Sequence, residues 1–70
     1  MNGTRLKIAR IKKGLNQREL ADMSHVGLTS ITKIEKHGIE STTVSTLRKL
    51  AKALDTTVEK LFFNEEGDHE

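Results

Sequence analysis

The 70-residue chain has no cysteine, proline, tryptophan or tyrosine, and its only aromatic residues are the adjacent Phe62 and Phe63. Without cysteine there is no disulfide framework, which excludes a small secreted scaffold held together by cross-links. Without aromatic platforms, the stacking surfaces on which single-stranded RNA is bound are missing. No hydrophobic run exceeds three residues, so no transmembrane segment is expected. The start Met1-Asn2-Gly3-Thr4-Arg5 lacks the hydrophobic stretch of a secretory signal, and a cytoplasmic protein is expected. With 34% hydrophobic residues in one small domain, nearly every buried side chain is needed for the core. A substrate-sized enclosed pocket is therefore not expected, nor are an enzyme active site, a cofactor or a small-molecule ligand.

Strand signals are also scarce, because the β-branched residues are scattered among Leu, Ala, Lys, Arg and Glu and strict alternation does not persist. Gly and Ser/Thr clusters divide the chain into helix-length pieces, so the expected fold is all-α with five short helices. The first helix is expected from about Arg5 to Lys13, stopped by Gly14 in a left-handed C-cap conformation. Leu6 and Ala9 share one side with Arg10 beside them, while Ile8 and Ile11 point elsewhere, so this helix is expected to pack on two sides. The second helix has the clearest start. Asn16 is placed as N-cap, Glu19 three residues on completes a capping box, and Leu15 and Leu20 form a hydrophobic staple ahead of a helix over Gln17 to about Met23. The connection Ser24-His25-Val26-Gly27 is short, with Val26 available to the core and Gly27 as a weak N-cap, and it sets up a tight two-helix corner.

On the third helix, at about 100° per residue, Leu28, Thr29, Thr32, Lys33 and Lys36 fall on one arc of roughly 140°. Ser30, Ile31, Ile34 and Glu35 fall on the other. The first arc is short, polar and cationic, and it holds no acid, unlike an ordinary solvated helix face, which mixes both signs. Ile39 to Thr43 reads as a loop, and a fourth helix starts at Val44 with Thr42 or Thr43 as cap. Its apolar stripe is Val44, Leu47, Leu50, Ala51 and Leu54, opposite Ser45, Arg48, Lys49 and Lys52. A fifth helix starts near Thr56 or Thr57 and presents Val58, Leu61 and Phe62. Residues 1–63 form the expected domain and 64–70 an acidic tail.

The formal net charge is only +2, but it is unevenly placed. Residues 1–54 carry eleven Lys or Arg against four acids, a net +7, and residues 55–70 carry one base against six acids, a net −5. A basic body of this kind suits a polyanionic partner.

Gly14-Leu15-Asn16-Gln17, Glu19-Leu20-Ala21, Val26, Ile31, Ile34-Glu35, the run Leu47 to Leu54 and Leu61 together resemble the helix-turn-helix domain of phage repressors and Cro proteins, the XRE or Cro/C1 family. The resemblance spans about Arg5 to Phe62. It implies a five-helix domain whose second and third helices form the DNA-binding motif, with the third in the major groove. Carried over residue by residue, it implies base contacts from Gln17, Gly27, Leu28, Thr29, Thr32 and Lys33. It implies backbone contacts from Arg10, Asn16, Gln17, Ser30, Lys36 and His37. Arg10 and Glu35 match a pair that bridges the first helix to the end of the third. The family's usual Asn-Gly after the third helix appears here as Lys36-His37-Gly38, one residue longer.

The function this implies is a double-stranded DNA-binding transcriptional regulator located with the nucleoid. It is expected to be a repressor acting as a homodimer on a pseudo-palindromic operator, with Leu61, Phe62 and Phe63 as the candidate dimer contact. The alternative is an interaction module, antitoxin-like or bound to a regulatory partner, that uses the same scaffold. His25, His37 and His69 lack metal-site spacing, so no metal is expected. Ser24-His25 lacks an orienting acid and an oxyanion site, so it does not make a nucleophile. The basic stripe of the fourth helix lacks the aromatic anchors of a membrane-surface helix.

Overall fold

The computed structural model describes residues 3–63, and the expected acidic tail and His69 lie outside them. Four α-helices follow one another: α1 (Thr4–Lys12), α2 (Gln17–Ser24), α3 (Leu28–His37) and α4 (Val44–Ala53). The fifth expected helix is the π-helical turn over Glu59–Phe63, which closes the domain, and no strand occurs among the described residues. No described helix is long and apolar enough to cross a membrane.

The helix ends follow from local chemistry. At the start of α2 the Asn16 Oδ1 accepts from the Glu19 N–H at 2.7 Å, and the Glu19 Oε1 accepts from the Asn16 N–H at 2.8 Å. This is the reciprocal capping box expected from the sequence. Thr43 caps α4 by accepting from the Thr46 N–H at 3.2 Å. After α1, the Gly14 N–H donates to the Ile11 carbonyl and the Leu15 N–H to the Arg10 carbonyl, and Gly14 is left-handed at φ 72°. The same paired bonds, Asp55 to Lys52 and Thr56 to Ala51, end α4. Both are Schellman endings that satisfy the last helical carbonyls and turn the chain back toward the core.

Every element contributes to one core. Its fully buried large side chains are Leu6 of α1, Leu20 of α2, Ile31 and Ile34 of α3, Leu50 of α4 and Phe62 of the closing turn. Ile39, in the loop after α3, is also buried and belongs to the same core. Gly3 permits the closest approach: a Cβ there would overlap the Ile34 carbonyl oxygen and lie 2.6 Å from the Glu35 Cα. The entry to α1 therefore rests directly on the backbone of α3.

Three expectations are corrected. Ile8 and Ile11 are 48% and 55% exposed, so α1 is not packed on two sides. It meets α3 and the closing turn through the Leu6 and Ala9 side. Val44 is 58% exposed and does not belong to the apolar stripe of α4, because as the first residue of the helix it stands beyond the layer that covers Leu47 and Leu50. Of the candidate dimer contacts, Phe62 is wholly buried and Leu61 nearly so, and both complete the core of their own chain. Phe63 is 49% exposed.

Phe62→Ala is therefore expected to lower the unfolding free energy by about 3–5 kcal/mol in urea titrations, whereas Phe63→Ala, at a half-exposed position, costs markedly less. Similar losses for the two variants would contradict the core assignment of Phe62.

Candidate nucleic-acid interface

The site is built around the corner between α2 and α3. His25 ends α2 in the left-handed conformation, φ 62° and ψ 27°, and Gly27 is extended as the N-cap of α3. The buried Ser24 hydroxyl donates to the Leu20 carbonyl at 2.7 Å and accepts from the Val26 N–H at 3.2 Å, pinning the turn from inside. Ser24 is thus a fixture of the corner and is not poised as a nucleophile. Sequence reasoning assigned it no role in the turn, although a serine at a helix end followed by a short connection is the available signal. Beyond α3, Gly38 takes φ 98° and ψ −170°, a region open in practice only to glycine. That conformation directs the chain away from the helix end.

Behind the corner lies a buried charged group. The Arg10 Nε donates to Glu35 Oε2 at 2.8 Å and Nη2 donates to Oε1 at 3.1 Å, a two-pronged ion pair with the side chains only 11% and 6% exposed. The remaining nitrogen, Nη1, donates to the Leu15 carbonyl at 2.8 Å. Glu35 Oε1 also accepts from the Gln17 Nε2 at 3.1 Å. The Arg10–Glu35 pair therefore connects α1, the α1–α2 connection, the first residue of α2 and α3. The hydrogen bond that Arg10 donates to Glu35 holds the guanidinium pKa above its ordinary value against the opposing effect of burial, so Arg10 stays protonated. Among the described residues, no buried side-chain nitrogen or oxygen lacks a partner.

The outward side of α3 is different in character. Ile31 and Ile34 are buried, while Thr29, Ser30, Thr32, Lys33, Lys36 and His37 are exposed and Leu28 is half-buried. Leu28, Thr29, Thr32, Lys33, Lys36 and His37 line one shallow open depression. Six of the candidate contact residues thus share a surface. Ser30 is exposed although the helical wheel grouped it with the core arc, and Gly27 is exposed at the entry to the helix. Gln17 is half-buried and oriented by Glu35. Asn16 is engaged in its capping box, which takes its own N–H and that of Glu19. The first-turn amides of α2 that remain to meet a phosphate are those of Gln17 and Arg18. Arg18 is exposed and was not among the candidates. Arg10 lies beneath this surface with its guanidinium bonded inside the molecule, so its position is that of a support. Among the described residues, no cluster of His, Asp or Glu is arranged to hold a metal ion.

Two short helices joined by a pinned corner, with the second one apolar inward and short, polar and cationic outward, are the defining parts of a helix-turn-helix DNA-binding domain. A family model described as helix-turn-helix matches residues 6–61. The structure is similar to a chain of the SinR protein/SinI protein complex, with a TM-score of 0.86 and 28% identity over 100% of this chain and 67% of that one. It is similar also to the restriction-modification controller protein C.AhdI from Aeromonas hydrophila, with a TM-score of 0.78 and 35% identity over 86% of this chain and 89% of that one. No curated protein matches the chain. The chain belongs to the XRE, or Cro/C1, type of the helix-turn-helix family of DNA-binding regulators.

Glu35→Gln, which leaves the buried guanidinium without its counter-charge, is expected to cost about 3–5 kcal/mol of stability in denaturant titrations. Replacing both partners, Arg10→Met with Glu35→Leu, is expected to recover most of that loss. Stability of the double variant as low as that of Glu35→Gln would show that the penalty does not come from an unpaired charge. Separately, His25→Gly is expected to raise the thermal midpoint, because glycine removes a left-handed strain of about 1–2 kcal/mol that exceeds its added unfolded-state entropy.

Proposed function

We propose that the chain is a sequence-specific double-stranded DNA-binding repressor that occupies an operator near a promoter. The observation that carries this reading is the outward arc of α3. Thr29, Thr32, Lys33 and Lys36 are exposed together with no acid among them, on a helix whose opposite side is anchored by Ile31 and Ile34. A helix of this size enters the major groove, where Lys33 has the reach to donate to guanine O6 and N7. Lys36, His37 and Ser30 stand at the margins, where phosphates flank the groove. Gln17 and the first-turn amides of α2 face the other wall, with the positive end of the helix dipole toward a phosphate.

One domain of this size buries too little DNA for strong discrimination, so we infer a homodimer on a pseudo-palindromic site, with half-sites about 34 Å apart along one face of the duplex. With Leu61 and Phe62 inside the core, Phe63 is the residue of the closing turn available to a second copy. Such a regulator acts at the nucleoid. The similarity to C.AhdI, a restriction-modification controller protein, supports a regulatory role for a chain of this kind.

Duplex binding measured in rising salt tests the reading. Affinity is expected to fall linearly in log–log form, with a slope near −0.9 for each phosphate neutralised. Lys33→Ala is expected to reduce the preference for a selected site over random duplex by about tenfold. Arg48→Ala, outside the depression lined by Leu28 to His37, is expected to leave that preference unchanged. Weak binding that is indifferent to salt would instead mark a protein-interaction module.

A further inference from the structure

We propose that Leu28, Thr29 and Thr32 form a methyl-reading slot, so that the domain selects a 5-methylated pyrimidine in the major groove regardless of which pyrimidine carries the methyl. This rests on the DNA-binding reading above and specifies the atoms that are read.

The key contact lies within α3. The Thr32 Oγ1 donates to the Leu28 carbonyl at 2.9 Å. That bond commits the hydroxyl proton to the helix itself and fixes the rotamer, so what Thr32 offers outward is its γ-methyl. Leu28 stands one helical turn earlier, half-buried, and lines the same depression as Thr29 and Thr32. The walls of this part of the surface are aliphatic. Lys33 and Lys36 line the same depression and give it its positive charge.

The chemistry of the groove then narrows the target. Bidentate reading of adenine at N6 and N7 takes an amide side chain, and residues 27–38 contain neither Asn nor Gln. With the Thr32 hydroxyl committed to its own helix, the thymine C5 methyl is the feature of an A·T pair that Leu28 and Thr32 can read. Cytosine methylated at C5 places the same group at the same point of the groove. A slot that recognises the methyl by exclusion of water favours thymine over uracil and 5-methylcytosine over cytosine, while Lys33 favours a guanine beside it. Binding to the operator then responds to cytosine methylation in the slot's register.

The test starts from duplexes that the full chain enriches from a random library. Each thymine is replaced in turn by deoxyuridine, and at the same positions cytosine is compared with 5-methylcytosine. Removing the methyl at the position facing the slot is expected to weaken binding about fourfold, and the 5-methylcytosine duplex is expected to bind more tightly than the cytosine duplex by a similar factor. Thr32→Val, which keeps the methyl and drops the hydroxyl, is expected to retain both ratios. Thr32→Ser, which does the reverse, and Leu28→Ala are each expected to bring both ratios toward one. Methyl ratios of one at every position of an enriched duplex would overturn the slot and leave the DNA-binding reading standing. Ratios lost in Thr32→Val and kept in Thr32→Ser would overturn it too, by making the hydroxyl the reader. Failure to enrich any duplex would remove both proposals.

Discussion

The architecture turns on a single carboxylate. Glu35 accepts two hydrogen bonds from Arg10 and one from Gln17, and Arg10 in turn holds the Leu15 carbonyl. In a chain with so small a core, a charged group this deeply enclosed is an unusual use of interior volume, since well-packed hydrophobic residues would often serve stability as well or better. What the pair supplies is direction. Hydrophobic contacts among Leu6, Leu20, Ile31 and Ile34 bring the helices together without fixing their relative rotation closely. Hydrogen bonds with defined donor and acceptor directions fix how α1 and the start of α2 stand relative to the end of α3. The position of Gln17 relative to the outward arc of α3 is set by the same atoms.

The scaffold and the reading surface are accordingly separate sets of residues. The scaffold consists of the aliphatic core, the buried ion pair, the Ser24 clasp and two backbone requirements, the close approach at Gly3 and the unusual conformation at Gly38. The surface consists of side chains that contribute little to the interior. Thr32 belongs partly to both, since its hydroxyl is bonded to its own helix while the residue is exposed on the outward arc.

Much of this was legible in the sequence, and where it was not the reasons are specific. The capping box at Asn16 and Glu19 and the N-cap at Thr43 were readable because each depends on side chains a fixed number of residues apart. The burial of Ile31 and Ile34 followed from helical period. The pairing of Arg10 with Glu35 is a contact across 25 positions and was reached only through the family resemblance. The Gln17 bond to the same carboxylate was not anticipated, because no local rule links residues 17 and 35. The left-handed turn at His25 was illegible for a simpler reason: it uses a residue type that carries no turn signal, where glycine would have announced it. Val44 misled because helical period gives a direction around the axis but not how far along it the neighbouring helices reach. Helical period grouped Phe62 with Val58 and Leu61, and Phe62 is indeed the neighbour that turns inward while Phe63 is half exposed.

The separation of scaffold from surface also bears on how such a domain diversifies. Thr29, Lys33 and Lys36 project from the helix without supporting the core, so exchanging them leaves folding nearly untouched while altering the set of sequences recognised. Duplicated copies of this chain within one genome can therefore drift toward distinct targets by a few surface changes, with no intermediate forced through an unstable form. Positions 3 and 38 have no such latitude, and positions 10 and 35 can change without loss of stability only together.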